Sequence, residues 1–265
     1  MRQTLLDLRR IAAERKIAML TCYDASFAAV LDRAGIDSLL IGDSLGMVIQ
    51  GHDSTLPVTV DDVAYHTRAV ARGSQRAFII ADMPFGSYQG SPQTGFDQAV
   101  RLMQAGAQMV KLEGGEEMAP TIAFIVERGI PVCGHVGLTP QHVNRFGGYR
   151  IQGRGQAAAR IRAAARAVVE AGAEMLVIEA VPEPVGRAIA AESKALTIGI
   201  GASSTCSGQV LVLHDMLGVA TDKRPRFVKN FLRDAGSVEA AARAYLAQVQ
   251  SGQFPAAEHV YSDSN

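Results

Sequence analysis

The chain has 265 residues and is 48% hydrophobic, with 26 Lys and Arg side chains balancing 26 Asp and Glu side chains. This composition excludes an intrinsically disordered protein, and it lacks the basic excess of a nucleic-acid-binding protein. No uninterrupted apolar run reaches the length of about 18 residues that a membrane span requires. The sequence therefore predicts a soluble globular protein that engages neither nucleic acid nor a membrane.

The amino-terminal segment and the cysteines favour a cytoplasmic location. Charged side chains interrupt the first ten residues, which therefore lack the apolar core of a secretory signal. Cys22, Cys133 and Cys206 are widely separated and form no CxxC pair, which is typical of buried thiols in a reducing compartment. The alternative, a catalytic cysteine, has one candidate, Cys133 beside His135.

Short apolar runs alternate with longer, Ala-rich segments along the chain. After the first run, Phe27, Val30, Leu31 and Ala34 follow the spacing of one helix face, and Gly35 predicts the end of that helix. Residues 161–169 repeat the spacing. Most of the runs are apolar on both faces, as expected of parallel strands covered on both sides. The predicted strands are residues 17–23, 38–42, 78–81, 109–112, 132–136, 175–178, 197–200 and 210–213.

Eight strand–helix units without a break in composition predict an α/β fold, one (β/α)8 TIM barrel over residues 1–265. A short helix precedes the barrel, residues 227–250 are predicted as a terminal helix, and residues 255–265 as an exposed end. The alternative fold is a doubly wound open sheet. No GxGxxG motif follows the first strand to support it, and Gly199-Ile200-Gly201 lacks the third glycine.

Two of the predicted connections, residues 46–59 and 138–155, are unusually long. Both follow strands, which is the side of a barrel that carries the active site. Loops of this length are typically functional lids or disordered segments. His52 lies in the first loop, where it is able to close over a ligand, whereas His66 and His214 are predicted to be core side chains of helices.

The predicted strand ends carry a strongly charged set of residues. A single Asp at a strand end is often a helix cap. The whole set, however, would meet at one barrel mouth, where crowded carboxylates repel one another unless a cation lies among them. The set comprises Asp43, Asp82, Lys111, Glu113, His135 and Glu179.

Carboxylates without paired His or Cys ligands favour Mg2+ over Zn2+, and Asp43 and Asp82 suit that role. Lys111 and Glu113 are two residues apart on a strand and so face the same side. There, Lys111 is placed to neutralise a substrate carboxylate while Glu113 supports the metal. Glu179 lies among apolar neighbours, which predicts a desolvated carboxyl that accepts protons well. The alternative for Glu179 is a structural carboxyl paired with a basic neighbour.

Five motifs resemble the ketopantoate hydroxymethyltransferase family. They are IGDSLGM at residues 41–47, ADMPFGSY at 81–88, VKLEGG at 110–115, GHVGLTPQ at 134–141 and GIGA at 199–202. The likeness extends in order from residue 17 to residue 231. The chain departs from the usual family pattern at Ser203, where Gly is common, at Ser207, where Asp is common, and at Cys22, where Ala is common.

The resemblance implies a barrel of the phosphoenolpyruvate/pyruvate superfamily, assembled as a homodecamer of five dimers. It implies transfer of a one-carbon unit from 5,10-methylenetetrahydrofolate to 3-methyl-2-oxobutanoate, giving 2-dehydropantoate on the route to pantothenate. The family's Mg2+ ligands match Asp43 and Asp82, with Glu113 as a further metal carboxylate, and its catalytic base matches Glu179. Its substrate-binding positions match Asp43, Ser44, Asp82, Lys111 and, as another active-site position, His135.

These residues suit that chemistry. Removing a proton beside a ketone requires a base and a cation near the developing enolate oxygen. The hypothesis is that Glu179 takes the C3 proton, Mg2+ holds the enolate, and the enolate attacks the folate methylene. Two alternatives remain: a carbon–carbon lyase of the same superfamily, whose turnover needs no folate, and a non-catalytic metabolite-binding barrel, which needs no base.

Overall fold

The computed structural model describes residues 2–219 and 224–263. In this part of the chain, eight parallel strands follow one another around a closed barrel, and the last strand pairs with the first. The (β/α)8 prediction is confirmed, and the open-sheet alternative is wrong because the two end strands of an open sheet do not pair. The strands are β1 (Ile17–Thr21), β2 (Ser38–Ile41), β3 (Phe78–Asp82), β4 (Met109–Glu113), β5 (Val132–Gly137), β6 (Met175–Glu179), β7 (Leu196–Ile200) and β8 (Gly208–Leu211).

Local signals set the ends of the helices that surround the barrel. Thr4 and Asp7 form a reciprocal capping box at the start of the first helix, and Thr59 and Asp62 form another at the start of the fourth. Gly35 ends the second helix with a φ of 95°, which glycine adopts without strain. The helices are α1 (Leu5–Glu14), α2 (Ala25–Ala34), α3 (Leu45–Val48), α4 (Val60–Gly73), α5 (Pro92–Gln104), α6 (Ala119–Val126), α7 (Val143–Phe146), α8 (Ala157–Glu170), α9 (Glu183–Glu192), α10 (Leu213–Leu217) and α11 (Val238–Gln250).

Nearly every strand residue is buried, which explains the apolar runs in the sequence. Gln209 in β8 is a buried polar exception, and its side-chain amide donates to the Ser203 backbone oxygen at 2.9 Å. Because Gly208 and Gln209 weaken the apolar signal, the predicted strand at residues 210–213 lies two residues beyond the observed β8. None of the helices in the described ranges combines the length and the apolar character that crossing a bilayer requires.

The carboxyl-terminal segment differs from its prediction in two places. Helix α11 begins at Val238 rather than at residue 227, because the Asn230 side chain accepts hydrogen bonds from the backbone of Leu232 and Arg233 and so forms a turn. The predicted exposed end is also wrong for much of its described part, since His259 is buried and Tyr261 forms a β-bridge with Pro182. Residues 264 and 265 of that end lie outside the described residues.

Both long connections are ordered, so the disordered interpretation does not apply to them. The first contains α3, and the second contains a 3-10 turn at Pro140–His142 followed by α7. The two connections touch where the Tyr149 hydroxyl donates to the Met47 sulfur at 3.3 Å. Both contribute side chains to the cavity at the carboxyl ends of the strands.

Candidate active site

The strand ends bring all seven predicted site residues to one cavity of about 1070 Å3. Strands β3, β4, β5 and β6 carry five of the seven directly, and the other two follow β2. This convergence arises because the carboxyl ends of the strands of a parallel barrel share one mouth. The seven residues are Asp43, Ser44, Asp82, Lys111, Glu113, His135 and Glu179.

Asp43, Asp82 and Lys111 form one buried charge cluster. The Asp43 backbone N–H donates to Asp82 Oδ2 at 3.0 Å, and Lys111 Nζ lies 2.8 Å from Asp82 Oδ1. The side chains of Lys111 and Asp82 are only 5% and 4% exposed. Burial alone would lower the pKa of Lys111, but the surrounding carboxylates raise it above its ordinary value. Lys111 is therefore a fixed positive charge at the base of the cavity.

One lysine does not compensate the neighbouring carboxylates fully. Burial, together with the charges of Asp82 and Glu113, raises the pKa of Asp43 well above its ordinary range. Burial also raises the pKa of Asp82, against the lowering effect of Lys111. Raised carboxyl pKa values mean that the site favours additional positive charge, either protons or a metal cation.

His135 joins the other two carboxylates. Its Nδ1 lies 3.3 Å from Glu113 Oε1, and its Nε2 lies 3.2 Å from Glu179 Oε2. Burial and the Lys111 ammonium lower the pKa of His135, but its contacts with Glu113 and Glu179 outweigh them and raise that pKa to about 9. A protonated imidazole therefore bridges Glu113 and Glu179 at neutral pH.

Glu179 is less enclosed than its sequence neighbours suggested. Its side chain is 15% exposed, whereas those of Glu113 and His135 are 1% and 3% exposed. Val177 and Ile178 are buried as expected, but Glu179 is the last residue of β6 and lies at the cavity mouth. Its contact with His135 provides the basic neighbour of the alternative interpretation.

The backbone around Glu179 is tightly held. Gly137, at the end of β5, has a φ of 95°, and the Leu138 backbone N–H donates to the backbone oxygen of Glu179 at 2.8 Å. The next residue after Glu179, Ala180, has a φ of 45°, a left-handed conformation that costs a non-glycine residue about 1–2 kcal/mol. The fold thus contains local backbone strain next to Glu179, whose carboxyl lies at the cavity mouth.

Gly137→Ala is expected to lower the free energy of unfolding by roughly 2–4 kcal/mol. A Cβ at this position would lie 2.2 Å from the Glu179 backbone oxygen, in addition to straining the backbone. Gly129→Ala is the matched control, since Gly129 has a φ of 86° and a Cβ there meets no atom within 4 Å. Urea denaturation measures the free energy of unfolding of both variants. Equal decreases in the two would show that the contact between the new Cβ and the Glu179 backbone does not destabilise the protein.

The cysteine alternative loses its support in the structure. Cys133 is fully buried and does not line the cavity, and burial raises the pKa of its thiol to about 12. Burial likewise raises the pKa of Cys22 to about 12 and that of Cys206 to about 11. All three are free, protonated thiols at neutral pH, in agreement with the interpretation as buried structural residues.

Comparison with known proteins decides the family. The family model described as ketopantoate hydroxymethyltransferase matches residues 2–257. The chain belongs to the ketopantoate hydroxymethyltransferase family. The 3-methyl-2-oxobutanoate hydroxymethyltransferase of Azoarcus sp. strain BH72 is 60% identical over 97% of this chain and 96% of its own length. The enzyme of the same name from Chromobacterium violaceum is 59% identical over 98% of this chain and 100% of its own length. The chain is therefore an enzyme, a hydroxymethyltransferase.

Solved structures show the same fold at low sequence identity. Phosphonopyruvate hydrolase in complex with oxalate and Mg2+ aligns with a TM-score of 0.62 at 14% identity, covering 82% of this chain and 83% of the other. 2,3-Dimethylmalate lyase, a member of the phosphoenolpyruvate mutase/isocitrate lyase superfamily, aligns with a TM-score of 0.56 at 18% identity, covering 75% and 72%. The barrel fold predicted for this hydroxymethyltransferase is confirmed.

The departures from the usual family pattern lie outside the cavity. Ser203 is buried, and its hydroxyl donates to Glu183 Oε1 at 2.9 Å and lies 2.9 Å from Thr205 Oγ1. The Ser207 hydroxyl accepts a hydrogen bond from the Thr197 backbone at 3.2 Å. These hydroxyls join the loop after β7 to its surroundings, and none of Cys22, Ser203 and Ser207 lines the cavity.

Sequence reasoning missed a buried amide that connects the two charge clusters of this family member. Gln141 Nε2 donates to Asp43 Oδ2 at 2.8 Å, and the Gln141 backbone N–H donates to Glu113 Oε2 at 3.0 Å. Gln141 Oε1 lies 2.7 Å from the Tyr88 hydroxyl, which fixes the orientation of the amide. Both residues belong to recognised motifs, but no spacing rule links a loop glutamine to a strand-end carboxylate.

The Ser44 side chain is also held by a tyrosine hydroxyl. Its hydroxyl lies 2.9 Å from the hydroxyl of Tyr23, a buried residue just after β1. His66 holds the other side of Tyr23, with its Nδ1 2.6 Å from the Tyr23 backbone oxygen. His66 is thus the core residue that was predicted. His214, by contrast, lines the cavity, and its Nδ1 has no hydrogen-bond partner among the described residues.

Proposed function

We propose that this hydroxymethyltransferase converts 3-methyl-2-oxobutanoate, 5,10-methylenetetrahydrofolate and water into 2-dehydropantoate and tetrahydrofolate, in the biosynthesis of pantothenate. The observation that carries the proposal is the single cavity in which the Asp43–Asp82–Lys111 cluster lies beside the Glu113–His135–Glu179 chain. The first cluster suits an anionic 2-oxo acid with a cation, and the second offers a carboxylate base. A non-catalytic barrel has no need of the second.

The donor set fits a magnesium ion. Mg2+ typically uses one or two protein carboxylates and completes its coordination with water and substrate oxygens. Asp43 and Asp82 lie next to each other and are buried, and the pKa of each carboxyl is raised, so the pair favours a nearby cation. Across residues 2–219 and 224–263, no three His, Cys, Asp or Glu side chains are grouped as a metal site. Glu113 therefore fits a supporting role better than that of a third metal ligand. It accepts a hydrogen bond from the backbone of Gln141, whose side chain holds Asp43. When bound, Mg2+ stabilises negative charge on the substrate oxygens.

The remaining residues are assigned to the substrate and to the proton. Lys111 and the Ser44 hydroxyl are placed to bind the carboxylate and keto oxygens of the 2-oxo acid. Glu179 takes the proton from C3, and His135 holds the Glu179 carboxylate through its Oε2 so that the other oxygen is available. The deprotonated 2-oxo acid then bonds to the methylene carbon of the folate as one of the two bonds from that carbon to folate nitrogen breaks. Water displaces the second folate nitrogen and supplies the hydroxyl oxygen of the product. The two nitrogens take up the proton lost from C3 and one proton of the water, which gives tetrahydrofolate.

A product assay tests the proposed reaction. Protein is incubated with Mg2+, 3-methyl-2-oxobutanoate and 5,10-methylenetetrahydrofolate, and 2-dehydropantoate is measured by mass spectrometry. Product that forms only in the presence of the folate is the expected result. Turnover of a 2-oxo acid by carbon–carbon cleavage without folate would instead support a lyase.

Gln141→Leu is expected to weaken Mg2+ binding by roughly 10- to 100-fold. The change removes the amide that holds Asp43 and leaves a buried carboxylate oxygen without a donor. Isothermal calorimetry with Mg2+ alone measures the effect without any turnover. Gln93→Leu is the control, because Gln93 is exposed on α5 and its amide contacts Asp97. Equal Mg2+ affinity in the two variants would contradict the positioning role of Gln141.

We further propose that the enzyme works in the cytoplasm as a homodecamer of five dimers, without nucleic acid or membrane partners. The family resemblance and the three reduced cysteines support this proposal.

A further inference from the structure

The cavity is much larger than a five-carbon 2-oxo acid. Its volume of about 1070 Å3 slightly exceeds the roughly 300–1,000 Å3 typical of pockets for drug-sized ligands. The charged residues at the strand ends occupy only its base. The space above them is bounded by the segments that follow β2, β5 and β8. This outer part has room for a second, larger molecule.

The wall that follows β8 differs in chemistry from the base of the cavity. It presents the apolar side chains of Val212 and Phe227, the imidazole of His214, one carboxylate, Asp215, and the guanidinium of Arg224. Apolar surface next to a carboxylate suits a flat heterocycle that carries N–H donors on one edge.

Asp215 is a partly buried carboxylate without a hydrogen-bond donor in the part of the chain that the structure describes. No ion pair there includes it, and the guanidinium of nearby Arg224 donates to the Gly218 backbone oxygen at 3.1 Å. Burial raises the pKa of Asp215, Arg224 lowers it, and the negative charge of Glu179 raises it further. The Asp215 side chain lines the cavity without a donor from the described residues, so a ligand that supplies donors gains affinity there. Asp215 and Glu179 line the same cavity.

We propose that Asp215 binds the pteridine ring of the folate by accepting hydrogen bonds from its 2-amino group and the adjacent ring N–H. The proposal rests on the proposed function, in which the folate is the one-carbon donor. The two N–H groups on that edge are parallel and match the two oxygens of a carboxylate, as in other bidentate pairs. A pteridine held at Asp215 lies in the same cavity as Glu179, where the 2-oxo acid loses its C3 proton.

The test compares Asp215→Asn with Asp53→Asn. Both residues line the cavity, but Asp53 is exposed and fully solvated, so it is the matched control. Asp215→Asn is expected to raise the KM for 5,10-methylenetetrahydrofolate by roughly 10- to 100-fold, because an amide replaces one acceptor with a donor. Asp53→Asn is expected to leave this KM unchanged.

A folate-free reaction shows whether the variant is intact. Exchange of the C3 proton of 3-methyl-2-oxobutanoate with deuterated water uses only the base of the cavity, and Asp215→Asn is expected to keep the wild-type rate within about twofold. Calorimetric titration with tetrahydrofolate alone provides a second measure, with the same expected loss. Wild-type protein that needs no folate would overturn the proposed function and this site together. Folate-dependent wild-type protein and unchanged folate affinity in Asp215→Asn would overturn this site alone.

Discussion

Glu179→Gln is expected to slow exchange of the C3 proton of 3-methyl-2-oxobutanoate by roughly 10^2- to 10^4-fold, the usual contribution of a general base. Glutamine has nearly the same shape, so its side chain is able to lie beside His135 Nε2 as that of Glu179 does. It is not, however, able to take up a proton. Proton nuclear magnetic resonance in deuterated water, with Mg2+ and without folate, follows the loss of the C3 signal directly.

Measuring the affinity for the 2-oxo acid distinguishes the loss of the base from structural damage to the site. We expect Glu179→Gln to bind the 2-oxo acid with nearly wild-type affinity, because Lys111 and Asp82 are untouched. Glu183→Gln is the control, since Glu183 lies just beyond β6, bonds to Arg187 and Ser203, and does not line the cavity. Exchange at the wild-type rate in Glu179→Gln would remove Glu179 from the role of base.

Lys111→Met is expected to lower the free energy of unfolding by about 3–5 kcal/mol, measured by urea denaturation in the presence of a chelator. The ammonium of Lys111 is buried 2.8 Å from Asp82, and its charge also lowers the pKa of Asp43 and Glu113. Its removal leaves three carboxyl groups in one buried site, with His135 as the nearest basic group. The large cost arises because a buried charge without a partner loses its hydration and gains nothing in return.

The pH dependence of this loss has a definite sign. Burial raises the pKa of Asp43 and Asp82 in the folded protein, and the charges of Asp82 and Glu113 raise that of Asp43 further. A carboxyl whose folded pKa is raised favours the folded state at low pH, and that contribution is lost as the pH rises through the folded value. The deficit of Lys111→Met is therefore expected to be smaller in mildly acidic buffer than at neutral pH.

Two further variants complete the comparison for Lys111. Asp82→Asn combined with Lys111→Met removes both charges of the pair and is expected to recover part of the lost stability, which a double-mutant cycle quantifies. Lys194→Met changes an exposed lysine and is expected to leave the free energy of unfolding unchanged. A loss in Lys111→Met no larger than that in Lys194→Met would show that Lys111 does not stabilise the buried carboxylates.

The barrel itself was predictable because strands that are buried on both faces require continuous apolar runs, which are visible in the sequence. Every predicted strand overlaps an observed one, and the helix that ends at Gly35 was found from its apolar spacing and its glycine. The prediction failed where that pattern is weak or misleading. Gln209 interrupts the apolar pattern of β8. Residues 227–237 were included in the predicted terminal helix, although Asn230 forms a turn there and α11 begins only at Val238.

The candidate site was predictable to the extent that it lies on the strands. Asp82, Lys111, Glu113, His135 and Glu179 were found because a parallel barrel brings its strand ends to one mouth. Gln141 and Tyr88 reach the same carboxylates from loops, whose paths follow no periodic pattern. Asp215 was overlooked for the same reason, since its place on the cavity wall depends on how the chain turns after β8.

The sequence by itself determined the closed barrel and the set of charged residues at its mouth, since both follow from short-range patterns of apolar and polar residues. Only the tertiary structure decided how those charges are paired. Lys111 pairs with Asp82, and His135 lies between Glu113 and Glu179. The physical reason is that an ion pair depends on distances of a few ångströms between residues far apart in sequence, and those distances exist only after the barrel closes and its loops pack. The zero net charge of the chain is thus compatible with a mouth where carboxylates outnumber their buried cations.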